Sequence, residues 1–333
     1  MMRIRIDQCI AKILRFLIVV VWGYLFLMSL ICSTIVQVQM DSSGNVEVLN
    51  SFCRDNVFIH ICFLLTLCGI LLFFKRIRSR EQEKKHSRGW INALYVLFFI
   101  LGLVFIMSVR LEPRSDPEKV MNVAMQVLAG DSSSFTRQEG YMFRYPFQNG
   151  ILLLDIALLR IFGQKAYLAF QVLNLMAVLI ITEMLGRISE KMFEKTSIAN
   201  AVRLFVLLQP MTFLYTTYLY GTLLSLAFIL FAIYHAILYT ENGKWTHFLA
   251  CSLSSAVAII LKSNSLIPMI AMLIYLLWTC LGEEHREWIR HAELVLGSLA
   301  VLFLLRRGAN LLTEFVCGVA MPAGMPKLNW NAM

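Results

Sequence analysis

The chain has 333 residues, of which 59% are hydrophobic and only 15% charged, with a formal net charge of +9. A soluble domain carries about a quarter charged residues, so a water-soluble globular protein is excluded. Much of the positive charge lies in the N-terminal tail and residues 75–88, where the bias of Lys and Arg toward the cytoplasmic side accounts for it without nucleic acid.

The first apolar run, residues 13–36, follows a basic start. It exceeds the apolar region of a signal peptide, about 7–15 residues, and reads as an uncleaved anchor running outward. Residues 37–55 form a short outer loop, with Ser42-Ser43-Gly44 as turn punctuation. A second helix over residues 56–74 returns inside and meets the dense basic run 75–88, the strongest orientation signal in the chain. A third, over residues 91–109, emerges at Arg110.

Residues 110–150 are the longest polar interruption and form an extracytoplasmic loop. Ser115-Asp116-Pro117-Glu118 opens a helix through Leu128, because early Pro and Ser-x-x-Glu are start signals. Residues 150–163 are too short for a comfortable span and contain Asp155 and Arg160. If they crossed, the basic segments 187–203 and 283–291 would fall outside, so this helix is expected to lie along the outer surface.

Further helices are expected over residues 166–186, 201–218, 222–239, 247–261, 265–280 and 292–305, with a polar outer tail over 308–333. The fold class is therefore all-α: a polytopic transmembrane bundle of about nine spans with interfacial helices in its first outer loop. Two regions follow: an N-terminal hairpin with its basic loop, residues 1–89, and a membrane module, residues 90–333, in which residues 110–163 form the outer loop.

Three groups of residues could carry chemistry. Asp116 and Glu118 stand just outside the membrane at a helix start, where a carboxylate can take a proton from an acceptor hydroxyl. The competing reading is that Ser115 or Asp116 only caps the helix. Arg144, Lys262, Arg306 and Arg307 are cations on the same membrane face, suited to a phosphate. Lys262 lies between two apolar runs, where a charge is costly unless it snorkels. Tyr141, Tyr145 and Gln148, in the stretch ending Arg144-Tyr145-Pro146-Phe147-Gln148-Asn149-Gly150, could line a sugar site or form an interfacial belt. Tyr215, Tyr218 and Tyr220 read as such a belt. The eight cysteines show no CxxC, and no triad, P-loop or metal-ligand cluster is visible.

The order of a helix, an outer loop with an early Asp/Glu, an amphipathic helix, Tyr145-Pro146-Phe147-Gln148-Asn149-Gly150 and then Leu158-Leu159-Arg160-Ile161-Phe162-Gly163 resembles the GT-C superfamily of polytopic glycosyltransferases. That superfamily includes protein O-mannosyltransferases and lipid A aminoarabinose transferases, and the resemblance is nearest to bacterial membrane proteins labelled mannosyltransferase-like. It runs from about residue 90 onward. It implies a cell-membrane enzyme with an extracytoplasmic active face that moves a mannose-like hexose from a polyprenyl-phosphate donor to an acceptor in the cell envelope, a glycan, lipid or protein. By position Asp116 matches the family's first-loop acid, and Lys262 is similar to a basic residue that meets the lipid phosphate. The resemblance names no certain cofactor and leaves a divalent cation open; its partners are the lipid-linked donor, the acceptor and membrane lipids.

Two departures are expected to matter: two additional N-terminal helices, and an end at Met333 where similar proteins continue, which implies a truncated or divergent copy and leaves an inactive homologue as one alternative. A lipid or glycan transporter or flippase is another, but the inverted repeats and mid-membrane helix breaks of transporters are not visible.

Overall fold

A computed structural model describes residues 2–40, 46–54, 56–79, 86–280 and 285–324. The chain divides into two compact units, Met1–Arg88 and Gly89–Met333.

The first unit begins with α1 (Met2–Ile31). Here the expected helix over residues 13–36 is corrected: it stops at Ile31, and β1 (Cys32–Met40) pairs antiparallel with β2 (Val46–Arg54), so that Cys32 faces Arg54 and Met40 faces Val46. Thr34, Ile35, Val36 and Val38 are β-branched, which favours a pleated strand over continued helix. The expected outer loop is thus a hairpin; its Ser-Ser-Gly tip lies outside the described residues. α2 (Val57–Ser79) follows, and part of the basic run, residues 80–85, also lies outside them.

In the second unit every regular element among the described residues is helical. The order is α3 (His86–Val109), α4 (Asp116–Leu128), the short α5 (Ser133–Thr136) and α6 (Tyr141–Arg144), then α7 (Asn149–Phe162) and α8 (Ala166–Phe193). Next come α9 (Thr196–Leu208), α10 (Pro210–Tyr215), α11 (Thr222–Asn242), α12 (Trp245–Leu261), α13 (Leu266–Cys280) and α14 (His285–Cys317). Two expectations are corrected. The helix over residues 201–218 is broken at Gln209, because Pro210 has no N–H to donate and instead opens α10. The last helix does not end at residue 305: α14 continues through Arg306, Arg307 and Gly308 to Cys317, so the tail is helical there. Arg is a good helix former, and the stop comes only at Gly318, which holds φ +67°.

Among the described residues, five helical stretches are long and apolar enough to cross a membrane: Lys12–Ser29, Gly89–Val109, Pro146–Phe193, Thr222–Asn242 and Trp288–Cys317. Shorter apolar helices, Thr196–Leu208 and Trp245–Leu261 among them, accompany these five; the finer expectation of about nine spans goes beyond the five candidates. Many large apolar side chains point outward, among them Phe303 and Phe315, as a lipid-facing surface requires. The α7 helix has 14 residues, about 21 Å at 1.5 Å per residue.

Three buried clusters hold the second unit. Val120 and Ala124 of α4 pack with Ile151 and Leu152 of α7 and Phe170 of α8. Phe98 and Ile106 of α3 pack with Leu175 and Val178 of α8. Ala232, Cys251, Met269 and Leu294 join α11 to α14. Towards the C-terminal end of α8, Glu183 accepts from Tyr95 of α3 at 3.0 Å, Arg187 at 2.7 Å and Arg203 of α9 at 3.0 Å. That network ties three helices through one carboxylate. α7 and α12 meet at backbone distance: a Cβ on Gly150 would collide with the Ile260 carbonyl.

Candidate functional site

The site is built where α4, the loop before α11 and the end of α12 converge. Asp116 is the first residue of α4. Ser115 before it holds φ +60° and ψ −131°, a conformation that non-glycine residues rarely adopt and that costs about 1–3 kcal/mol. Ser115 makes no side-chain capping bond. The Asp116 carboxylate, half-buried, turns instead to Tyr220, whose hydroxyl donates to it at 3.3 Å. Lys119, one turn on, stands 3.9 Å away at the surface.

Tyr220 is the hub. Gln148 donates its side-chain amide to the Tyr220 hydroxyl, and the Tyr141 hydroxyl lies 3.5 Å from it. The Lys262 ammonium sits 3.3 Å from the centroid of the Tyr220 ring, a cation–π contact. Burial, with the nearby Asp116 charge, holds the Tyr220 hydroxyl above its ordinary value, outweighing the opposing Tyr141 bond, so it remains a proton donor at neutral pH. Burial also pulls the Lys262 ammonium down from its ordinary value of 10.5, and Asp116 partly opposes this.

Two amides on α8 position these groups. Gln171 donates to the Leu111 carbonyl at 2.6 Å, at the entry to α4. Asn174, one turn later, donates to the Thr216 and Tyr218 carbonyls, both at 3.0 Å. Gly221 then turns the chain into α11 at φ +70°, and a Cβ there would meet Ile151. So the loop carrying Tyr220 is held from α8 and abuts α7.

Of the residues singled out from sequence, Asp116, Gln148 and Lys262 meet at Tyr220. Tyr145 is one ring removed, 5.0 Å from Tyr141 and 6.0 Å from Phe147 between centroids. Arg144 donates its Nε to the Gln138 carbonyl at 3.2 Å, within its own loop. Glu118 is exposed on α4 and is not drawn into the cluster. Arg306 lines a neighbouring cavity of about 340 Å³ that also takes in Phe147, Asn149 and Ser263. Arg307 does not line it.

Tyr220 itself is the residue that sequence reasoning read only as part of an aromatic belt. The signal was its place beside Gly221 at a helix start. Gln171 and Asn174 were missed as well; two amides one turn apart in an apolar helix were the available clue.

The cluster offers a carboxylate that can accept a proton, an ammonium that can meet an anion and a tyrosine hydroxyl linking them. No curated protein and no solved structure matches the chain. A family model described as "conserved hypothetical integral membrane protein" matches residues 10–315. That match covers most of the chain, and the protein belongs to this family of integral membrane proteins.

Proposed function

We propose that the protein is a membrane glycosyltransferase of GT-C type, acting at the extracytoplasmic face of the cell membrane. It moves a mannose-like hexose from a polyprenyl-phosphate donor to an acceptor hydroxyl of the cell envelope. One observation carries the reading: Asp116 and Lys262, far apart in sequence, are joined through Tyr220. The order of motifs from residue 90 onward supports it.

The chemistry asks for little more. The donor brings its own leaving group, so the protein must deprotonate the acceptor and steady the departing phosphate. Asp116 accepts the proton as the acceptor oxygen bonds to the sugar's anomeric carbon. The bond from that carbon to the phosphate oxygen breaks, and polyprenyl phosphate leaves with the electron pair toward Lys262. Attack from the side opposite the phosphate inverts the anomeric centre. Tyr220, by donating to Asp116, fixes which oxygen of the carboxylate is free.

Transfer from a radiolabelled polyprenyl-phosphate hexose, measured in proteoliposomes with the full chain, tests this. Asp116→Asn keeps the shape of the side chain but removes the base. The rate is expected to fall at least 100-fold at unchanged expression. Wild-type transfer by Asp116→Asn would refute the mechanism.

A further inference from the structure

The cavity beside the Tyr220 cluster has its own chemistry. Arg306 and Asn310 lie four residues apart on α14, hence on one face of it. Asn149 opens α7 and donates its amide to the Asn310 side-chain oxygen at 2.8 Å. That bond leaves the Asn149 oxygen free to accept and the Asn310 amide free to donate. Asn149 is 94% buried in terms of its own surface, with 6% left exposed. The Arg306 guanidinium makes no hydrogen bond or ion pair among the described residues. Ile259, Ile260 and Met321 supply apolar wall, and Phe147 an aromatic one.

We infer that this cavity binds an anionic polyol: a sugar or glycerol unit bearing a carboxylate or phosphate. An acceptor beside a donor reads two adjacent hydroxyls, each of which both gives and takes a hydrogen bond. Phe147 adds aromatic surface for the C–H side of such a unit. Arg306 offers a fork of donors that matches a carboxylate or phosphate. Arg306 is itself exposed, so a neutral sugar costs it nothing but gains nothing from it, whereas an anion gains the fork. A simple fatty chain leaves both amides unpaired as well, which is costly at the buried Asn149. The volume, about 340 Å³, lies at the lower end for small-ligand pockets.

Because Phe147 and Asn149 flank Gln148, and Ser263 follows Lys262, the cavity adjoins the cluster at two points of the chain. Within the transfer reading its occupant is the acceptor, and the inference then deepens that reading. Its test uses binding alone, so the two stand or fall separately.

Isothermal titration of the purified full chain in a neutral detergent compares glucuronate, glycerol 1-phosphate and glucose. Nanodiscs present phosphatidylglycerol or phosphatidylcholine in a second arm. An anionic probe is expected to bind at least tenfold more tightly than its neutral counterpart. Arg306→Gln should erase that preference, Arg306→Lys should keep part of it and Asn310→Leu should weaken glucuronate and glucose alike. Arg307→Gln, outside the cavity, should change neither. Binding of the soluble acids identifies a free or glycan-borne source; a preference confined to phosphatidylglycerol and lost in Arg306→Gln identifies a lipid headgroup. Equal affinity for charged and neutral probes in both arms overturns the inference, as does an Arg307→Gln loss equal to that of Arg306→Gln.

Discussion

The Lys262 ammonium stands 3.3 Å above the Tyr220 ring, and the hydroxyl of that ring donates to Asp116, also at 3.3 Å. One aromatic side chain therefore separates the two charges and links them. A direct ion pair between them would neutralise both; the intervening ring keeps Lys262 off the carboxylate, whose only ion-pair partner among the described residues is the exposed Lys119 at 3.9 Å.

Tyr220→Phe separates the two contacts, since the ring face remains and the hydroxyl goes. A hydrogen bond to a charged group is worth about 1.5–3 kcal/mol, and each 1.36 kcal/mol is about tenfold in rate. Transfer is expected to fall by roughly 10- to 100-fold while donor affinity stays within about twofold. A loss of donor affinity with an unchanged rate would show that the hydroxyl does not serve Asp116.

The lowered Lys262 ammonium sets a pH limit. Donor binding that needs this cation should weaken as pH rises through its depressed pKa, below the ordinary 10.5. Lys262→Arg should move that alkaline limb upward, because guanidinium stays charged. Stability runs the other way. Between the depressed folded value and 10.5 the unfolded chain binds more protons, so folding is favoured as pH rises across that window. Donor binding and thermal unfolding measured against pH check both signs, and Lys262→Met should flatten each.

Gly150→Ala should destabilise the fold. Its Cβ would meet the Ile260 carbonyl, a backbone atom that cannot swing aside. Overpacking of this kind costs about 1–3 kcal/mol, against a gain of up to about 1 kcal/mol for Ala over Gly in a helix. Gly23→Ala in α1, with no atom within 4 Å, should show only the gain. Thermal unfolding in detergent should therefore shift in opposite directions for the two variants.

Asn174→Leu should loosen the site without touching it. The Thr216 and Tyr218 carbonyls would lose their donor, at about 1–3 kcal/mol for each buried group left unpaired. Hydrogen exchange over residues 216–220 should accelerate, and transfer should fall with it. Unchanged exchange would mean that other contacts hold the loop.

Orientation is tested by single cysteines in a background without native ones. A Cys at Arg137 should react with an impermeant reagent in intact cells, and a Cys at Lys195 only after permeabilisation. The reverse pattern would place the Asp116 cluster inside the cell.

Much of the helical order was legible because apolar runs and breakers are local signals. The start of α4 at Asp116 follows from Pro117 and the acidic first turn, and α12 ends next to Lys262 as its apolar run does. A charge between two apolar runs also stands out, which is how Lys262 was found, and Asp116 was found by its place at a helix start early in the polar loop. Tyr220 did not stand out, because a tyrosine near a membrane surface has an ordinary interfacial explanation. The division between Arg306 and Arg307 was hidden for another reason. Which of two adjacent residues faces a cavity depends on the helix continuing past both, and the helix expected to end at residue 305 continues through them to Cys317. The β-hairpin of the first unit was missed because β-branched residues at the end of a long apolar run look like more of the same run.

The paired amides of α8 have a mechanical consequence. Gln171 and Asn174 fasten the entry to α4 and the loop before Tyr220 to the same turn of one rigid helix. When bilayer thickness changes, helices adapt by tilting. Here both loops ride on a single lever, so such a tilt carries the Asp116 carboxylate and the Tyr220 hydroxyl together. Their spacing should then be the same in thin and thick membranes, even as the depth of the whole cluster below the headgroups varies.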